Sequence, residues 1–171
     1  QQPVSIAVNM SAHQLHHSDI VSTLSAILAE TRFPAEYLEL ELTESILMQR
    51  EDEVVETLNR VRAKGIRLAI DDFGTGYSSL SYLKSFPLDV LKIDRSFVTD
   101  IEDDLDDRAI TATIIGIAHT LGLQVVAEGV ETEQQLEFLR NHKCDMYQGY
   151  LTSPALSAEE FEQFLKAYKP G

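Results

Sequence analysis

The chain has 171 residues, 44% of them hydrophobic and 25% charged, with a net charge of −14. That composition suits one globular domain with a single core. The acidity argues against a nucleic acid polymer or an anionic membrane as a direct partner unless metal ions invert the local field. No apolar run approaches the roughly 18 residues of a membrane span, and no signal-peptide pattern is read.

Strand and helix signals alternate along the chain. They predict strand ~4–10, helix ~18–30, strand ~38–43, helix ~51–64 and strand ~67–72, then a loop with a short helix over ~73–84. Strand ~89–94, helix ~105–121, strand ~124–128, helix ~132–141, strand ~146–150 and helix ~157–168 follow. Gly65 and Gly122 each stand just past an amphipathic run and before a strand, as a left-handed helix cap requires. In helix ~105–121, Ile110, Ile114, Ile117, Ala118 and Leu121 form one apolar stripe, read as core packing or a subunit face. The alternation argues for a parallel sheet with helices outside it.

Each strand stops at a polar or ionisable residue: Asn9, Glu41, Asp71-Asp72, Lys92, Glu128 and Gln148. Side chains alternate along a strand. Parity then puts Asn9, Glu41, Asp71, Lys92 with Asp94, and Glu128 on one face. Oxygen-bearing groups at the C-terminal ends of successive strands are how a (β/α)₈ barrel builds a site, and this donor set suits a hard divalent cation. Six strands are read where such a barrel needs eight. An open doubly wound sheet is the alternative, but it does not need a functional group from nearly every strand.

Several features have plainer readings. Glu39 also faces inward, one layer deeper, and needs an unnamed partner. Lys92 requires a counter-charge, from Asp94 or another carboxylate, or else serves a developing phosphate charge. Glu44 is either a cap or a group holding the neighbouring loop. Glu131 and Thr132 stand at a helix start and can act as a cap. The acidic run Asp100 to Asp107 lacks the Gly and Glu of a calcium loop and reads as a solvated loop with an acid-rich helix start. His16-His17 lies in a polar loop, and none of the five histidines has a zinc spacing. Cys144 reads as a packed thiol in a reducing compartment.

Asn9-Met10-Ser11, Glu41-Leu42-Thr43-Glu44, Asp71-Asp72-Phe73-Gly74-Thr75-Gly76-Tyr77-Ser78-Ser79-Leu80, Lys92-Ile93-Asp94, Ala127-Glu128-Gly129-Val130-Glu131-Thr132 and Gln148-Gly149-Tyr150 stand in one order. In these motifs the whole chain resembles an EAL domain, the bacterial phosphodiesterase that hydrolyses cyclic di-GMP. The resemblance implies an α/β, TIM-like (β/α)₈ barrel, here a partial single domain over residues 1–171 with about six of eight strands and the N-terminal units missing. It implies two Mg²⁺ or Mn²⁺ ions on Asn9, Glu41, Asp71, Asp72 and Glu128. Lys92, Glu128 and Asp72 would be catalytic, and Ser11, Asp94, Glu131 and Gln148 would contact substrate. Glu44 and the loop residues Phe73, Gly74, Thr75 and Gly76 would couple the site to dimerisation.

The resemblance further implies cyclic di-GMP hydrolysis to linear pGpG, a homodimer, and sensor or GGDEF domains fused in the parent. A cytoplasmic location is expected, on its own or as the cytoplasmic part of a membrane-anchored parent. Two departures stand out. The Glu-Ala-Leu segment that names the family is absent from these 171 residues, and Leu151-Thr152-Ser153-Pro154 carries no basic residue before its proline. Impaired turnover is therefore expected of this chain. A catalytically inactive receptor or dimerisation module is the alternative.

Overall fold

The computed structural model describes residues 4–17, 19–47, 51–76 and 80–168. Six strands, β1 (Ile6–Asn9), β2 (Leu38–Thr43), β3 (Arg67–Phe73), β4 (Val90–Ile93), β5 (Gln124–Glu128) and β6 (Met146–Gln148), form one sheet in chain order. Every neighbouring pair is parallel. Helices fill each crossover, so the fold is a TIM-like half-barrel, open between β1 and β6. The helices are α1 (Ala12–His17), α2 (Ile20–Thr31), α3 (Glu44–Leu47), α4 (Glu51–Arg62), α5 (Leu80–Ser85), α6 (Arg95–Thr99), α7 (Leu105–Thr120), α8 (Glu133–Asn141) and α9 (Ala158–Ala167).

Register separates the two faces of the sheet. Leu40 pairs with Leu68, Ile70 with Leu91 and Leu91 with Val125, a ladder of apolar residues on the helix side. Leu42, Leu68, Leu91 and Val125 are fully buried there. Val54, Leu58 and Val61 of α4, Ile114, Ile115 and Ala118 of α7 and Leu136 and Leu139 of α8 share their cluster. Each such side chain contributes roughly 1.5–3 kcal/mol by leaving water. The opposite face carries Glu39, Glu41, Asp71, Lys92 and Glu128, so the core lies between sheet and helices and the inner face is polar.

The structure corrects three expectations. His16-His17 belongs to a helix, α1, not a loop. Ile110 stands 39% exposed, and the buried face of α7 runs through Thr111, Ile114, Ile115 and Ala118 instead. The short helices α1, α3 and α6 occupy stretches left between the predicted elements. Both rims of the sheet are exposed: every residue of β1 and of β6 is open to solvent.

Candidate metal centre

The centre is organised around one buried cation. Lys92, 5% exposed, projects from the middle of β4 and places Nζ 2.7 Å from Glu41, 2.9 Å from Asp71 and 2.7 Å from Glu128. These carboxylates come from β2, β3 and β5, so one ammonium ties three neighbouring strands together. Asp94 is not its partner. Burial alone would lower the pKa of Lys92, but hydrogen bonds to Glu128, Glu41 and Asp71 outweigh it and hold the ammonium above its ordinary value.

Asp71, Asp72 and Glu128 can bring one carboxylate oxygen each within 4.8 Å of one another. Adjacent residues on a strand normally point to opposite faces. Here the β3–β4 register shifts between Ile70 and Phe73, and Asp72 takes a left-handed conformation with φ +54°. Asp is among the few residues that adopt it at modest cost. The irregularity turns the second carboxylate back towards the first. Burial, Asp71 and Asp94 raise the Asp72 pKa; burial also raises that of Glu128, with Lys92 opposing and Asp71 and Glu41 adding to the rise.

Buried Asp71 Oδ1 has the Lys92 ammonium 2.9 Å away and no other donor among the described residues. A buried acceptor in that position is suited to a cation. Oxygen-only donors of this kind fit Mg²⁺ or Mn²⁺ rather than a soft metal. Asn9 pairs with Glu41 across β1 and β2, and Gln148 pairs with Glu128 across β5 and β6. The inner face thus runs from Asn9 through Glu41, Asp71, Lys92 and Glu128 to Gln148.

Other candidate residues occupy definite places. Ser11 uses its hydroxyl on Gln14, bonding Oε1 at 2.9 Å at the start of α1. Asp94 caps α6, accepting from the Ser96 N–H at 3.0 Å through Oδ1. Thr132, not Glu131, caps α8, in a capping box with Gln135. The Glu131 N–H donates to Gln135 Oε1 at 2.7 Å, while its side chain lines a cleft beside Glu128.

Glu44 is 8% exposed, and a side chain at Gly76 would stand 3.2 Å from its carboxylate. Gly74, at φ +101°, lies over the Phe97 ring, where a Cβ would come within 2.7 Å. Phe73, expected in the loop, is instead the last residue of β3 and is buried in the core, and the loop residues Gly74, Thr75 and Gly76 run between Glu44 and α6. Tyr77-Ser78-Ser79 of the same motif lies outside the described residues.

Two residues here escaped the sequence reading. Arg67 pairs with Glu39 at 3.6 Å and hydrogen-bonds Gln124, supplying the partner Glu39 needed. Burial still raises the Glu39 pKa, with Arg67 opposing. Arg95 lines the cleft that Glu128, Glu131 and Gln148 share. Its signal was a cation next to Asp94 in a strongly acidic chain.

A family model described as EAL domain matches residues 1–155. The cyclic di-GMP phosphodiesterase NbdA of Pseudomonas aeruginosa is 48% identical over 164 residues, which is 96% of this chain and 21% of that protein. The structure of the PaMucR phosphodiesterase with c-di-GMP superposes at TM-score 0.88 and 44% identity, covering 92% of this chain and 64% of that one. The manganese and cy-diGMP complex of Klebsiella pneumoniae BlrP1 matches at TM-score 0.81 and 36% identity, over 88% of this chain and 38% of that one. The chain spans about a fifth of the length of the curated relatives it matches. With its motifs in order on a parallel half-barrel, the chain belongs to the EAL domain family.

Proposed function

We propose that this chain is the metal-binding part of a cyclic di-GMP phosphodiesterase, cleaving one phosphodiester to give linear pGpG with two Mg²⁺ or Mn²⁺ ions. One observation carries the reading: Asp71, Asp72 and Glu128 converge within 4.8 Å, beside an ammonium bound to three strands. Relatives named cyclic di-GMP phosphodiesterases support the substrate. Asn9, Glu41, Asp71, Asp72 and Glu128 would hold the ions. Divalent ions there supply Lewis-acid polarisation of the phosphodiester and an acidified water.

The chain's own residues then have distinct roles. Lys92 keeps its charge at working pH, so it positions Glu41, Asp71 and Glu128 and faces negative charge developing on the phosphoryl oxygens. Glu128 and Asp72, at the ends of neighbouring faces of the centre, stand beside the position of the attacking water. Gln148, Glu131 and the remaining oxygen of Asp94 orient the nucleotide. Ser11 fixes the β1–α1 turn that carries Asn9. Glu44, Phe73 and loop 74–76 link the centre to a homodimer contact. Fused sensor or GGDEF domains in a longer protein belong to the same proposal.

A binding-only reading, in which the chain holds cyclic di-GMP and turns it over little, is favoured by Lys92, whose ammonium already neutralises three of the proposed metal ligands. Incubation with Mn²⁺ and cyclic di-GMP, followed by chromatography for pGpG and by calorimetry, separates the two. Product that disappears in Asp71→Asn supports the enzyme, and binding without product supports the receptor. A folded chain that neither binds nor cleaves the nucleotide refutes both.

A further inference from the structure

We propose that Phe97 is a positioning residue for the metal centre: its ring props the turn that leaves β3 and so fixes where the Asp72 carboxylate stands. The role rests on the metal-binding reading above and extends it to an apolar side chain outside the donor set. The two aspartates differ in what holds them. Asp71 is in register with Thr43 of β2 and is tied to Lys92. Asp72 lies past the last β2 pair and inside the β3–β4 register shift, so neither neighbouring strand sets its direction.

The turn sets it instead. Asp72 stands at φ +54°, and its carbonyl accepts the Thr75 hydroxyl at 2.9 Å and the Thr75 N–H at 3.4 Å. Phe73, 4% exposed, pins the strand side of the turn in the core. Gly74, at φ +101°, presents bare backbone to the Phe97 ring. A Cβ there would stand 2.7 Å from Cε2 and 3.1 Å from Cζ of that ring, and 3.6 Å from Ile114 Cδ1. Asp72 and Gly74 belong to one hydrogen-bonded turn, so a rotation that swings the exposed Asp72 carboxylate into solvent also displaces Gly74, and the ring limits that displacement.

The prop is anchored from behind. Thr111, fully buried in α7, donates from its hydroxyl to the Phe97 carbonyl at 3.2 Å. Val98 is fully buried beside it, and Gln135 of α8 donates through Nε2 to the Thr99 carbonyl at 3.1 Å. α6 is thus held by both helices that follow it. Core packing alone would bury the ring. Phe97 stays half-buried, with its edge on the backbone of the turn. Groups that orient a metal ligand without touching the ion typically change metal affinity by about 10–100-fold when removed.

Mn²⁺ alone is titrated by calorimetry into wild type, Phe97→Leu, Asp72→Ala and the double variant, each as the whole chain and each checked for folding by circular dichroism. Phe97→Leu should weaken Mn²⁺ binding about tenfold. In the Asp72→Ala background the same substitution should cost less than about twofold, because the ligand that the ring positions is gone. Val61→Ala, a core truncation in α4, reports lost stability alone and should leave the affinity within about twofold of wild type. Phe97→Met, which fills the space with a flexible chain, serves as the test if Phe97→Leu fails to fold.

Unchanged Mn²⁺ affinity in a folded Phe97 variant overturns the positioning role. So does a loss of the same size with and without Asp72, or a matching loss in Val61→Ala. Each of these results leaves the metal-binding reading standing. A folded wild type that takes up no Mn²⁺ overturns the two together.

Discussion

Replacing Lys92 with Met keeps most of the side-chain volume and removes the charge, which leaves Glu41, Asp71 and Glu128 facing one another. At an effective dielectric of about 20, each Nζ–carboxylate contact of 2.7–2.9 Å is worth roughly 6 kcal/mol before desolvation. Dehydration of the ammonium and repulsion among the acids offset much of this. Removing one partner from a buried ionic group costs about 3–5 kcal/mol net. The lower end applies here, because the three carboxylate side chains retain 10–19% exposure. For a chain of this size that lowers Tm by roughly 6–12 °C.

The effect has a pH signature. The Lys92 pKa lies above its ordinary 10.5, so its stabilisation is fully present below about that pH and is lost as pH rises further. In Lys92→Met the stranded acids relieve their repulsion by protonating, so the deficit is largest near pH 8 and shrinks towards pH 5. Urea denaturation followed by circular dichroism at both pH values reads this directly. Mn²⁺ should stabilise Lys92→Met more than wild type by replacing the lost cation. A variant with unchanged stability at pH 8 would refute the assignment of Lys92 as the counter-charge of the centre.

Asp72→Gly relieves the left-handed strain, so it should raise unfolding stability by up to about 1 kcal/mol while weakening Mn²⁺ binding measured by calorimetry. Gly149→Ala should lose several kcal/mol or fail to fold in a thermal melt, since the new methyl meets Val130 backbone rather than a side chain that can move. Asp145 accepts from the Val125 N–H at 2.8 Å and lies 3.0 Å from His119. Burial opposes the shift, but these bonds lower its pKa from 3.8. Asp145→Ala should therefore cost about 1 kcal/mol at neutral pH, and the gap between variant and wild type should close as pH falls below about 4.

Much of this arrangement was legible because a parallel strand buried on one side announces itself twice, by its β-branched and aliphatic run and by the polar residue that ends it. β2 and β5 match their predicted bounds for that reason. What escaped depends on pairs of strands rather than single ones. Glu39 finds Arg67 only through the β2–β3 register, and Lys92 reaches three strands that no local pattern connects. Strict alternation would separate Asp71 from Asp72, and only the irregularity at the end of β3 brings them together. The short helices α1, α3 and α6 have too few turns to show an apolar period, and the Asp94 that caps α6 reads equally well as a strand end. The exposed Ile110 shows the opposite failure: a regular stripe was visible and its Ile114 and Ala118 are buried, but the packed face also takes in Thr111 and Ile115 and leaves Ile110 in solvent.

The three-way grip of Lys92 also bears on how the molecule breathes. A contact that spans β2 to β5 makes local opening of any one of these strands expose an unpaired charge, so their slowest amides should exchange with deuterium as a single cooperative unit. β1 and β6, each with a neighbour on only one side, lie outside that unit and should exchange first. The sheet then loosens from its two rims inward, and the ring of carboxylates around the ammonium is the last part to open.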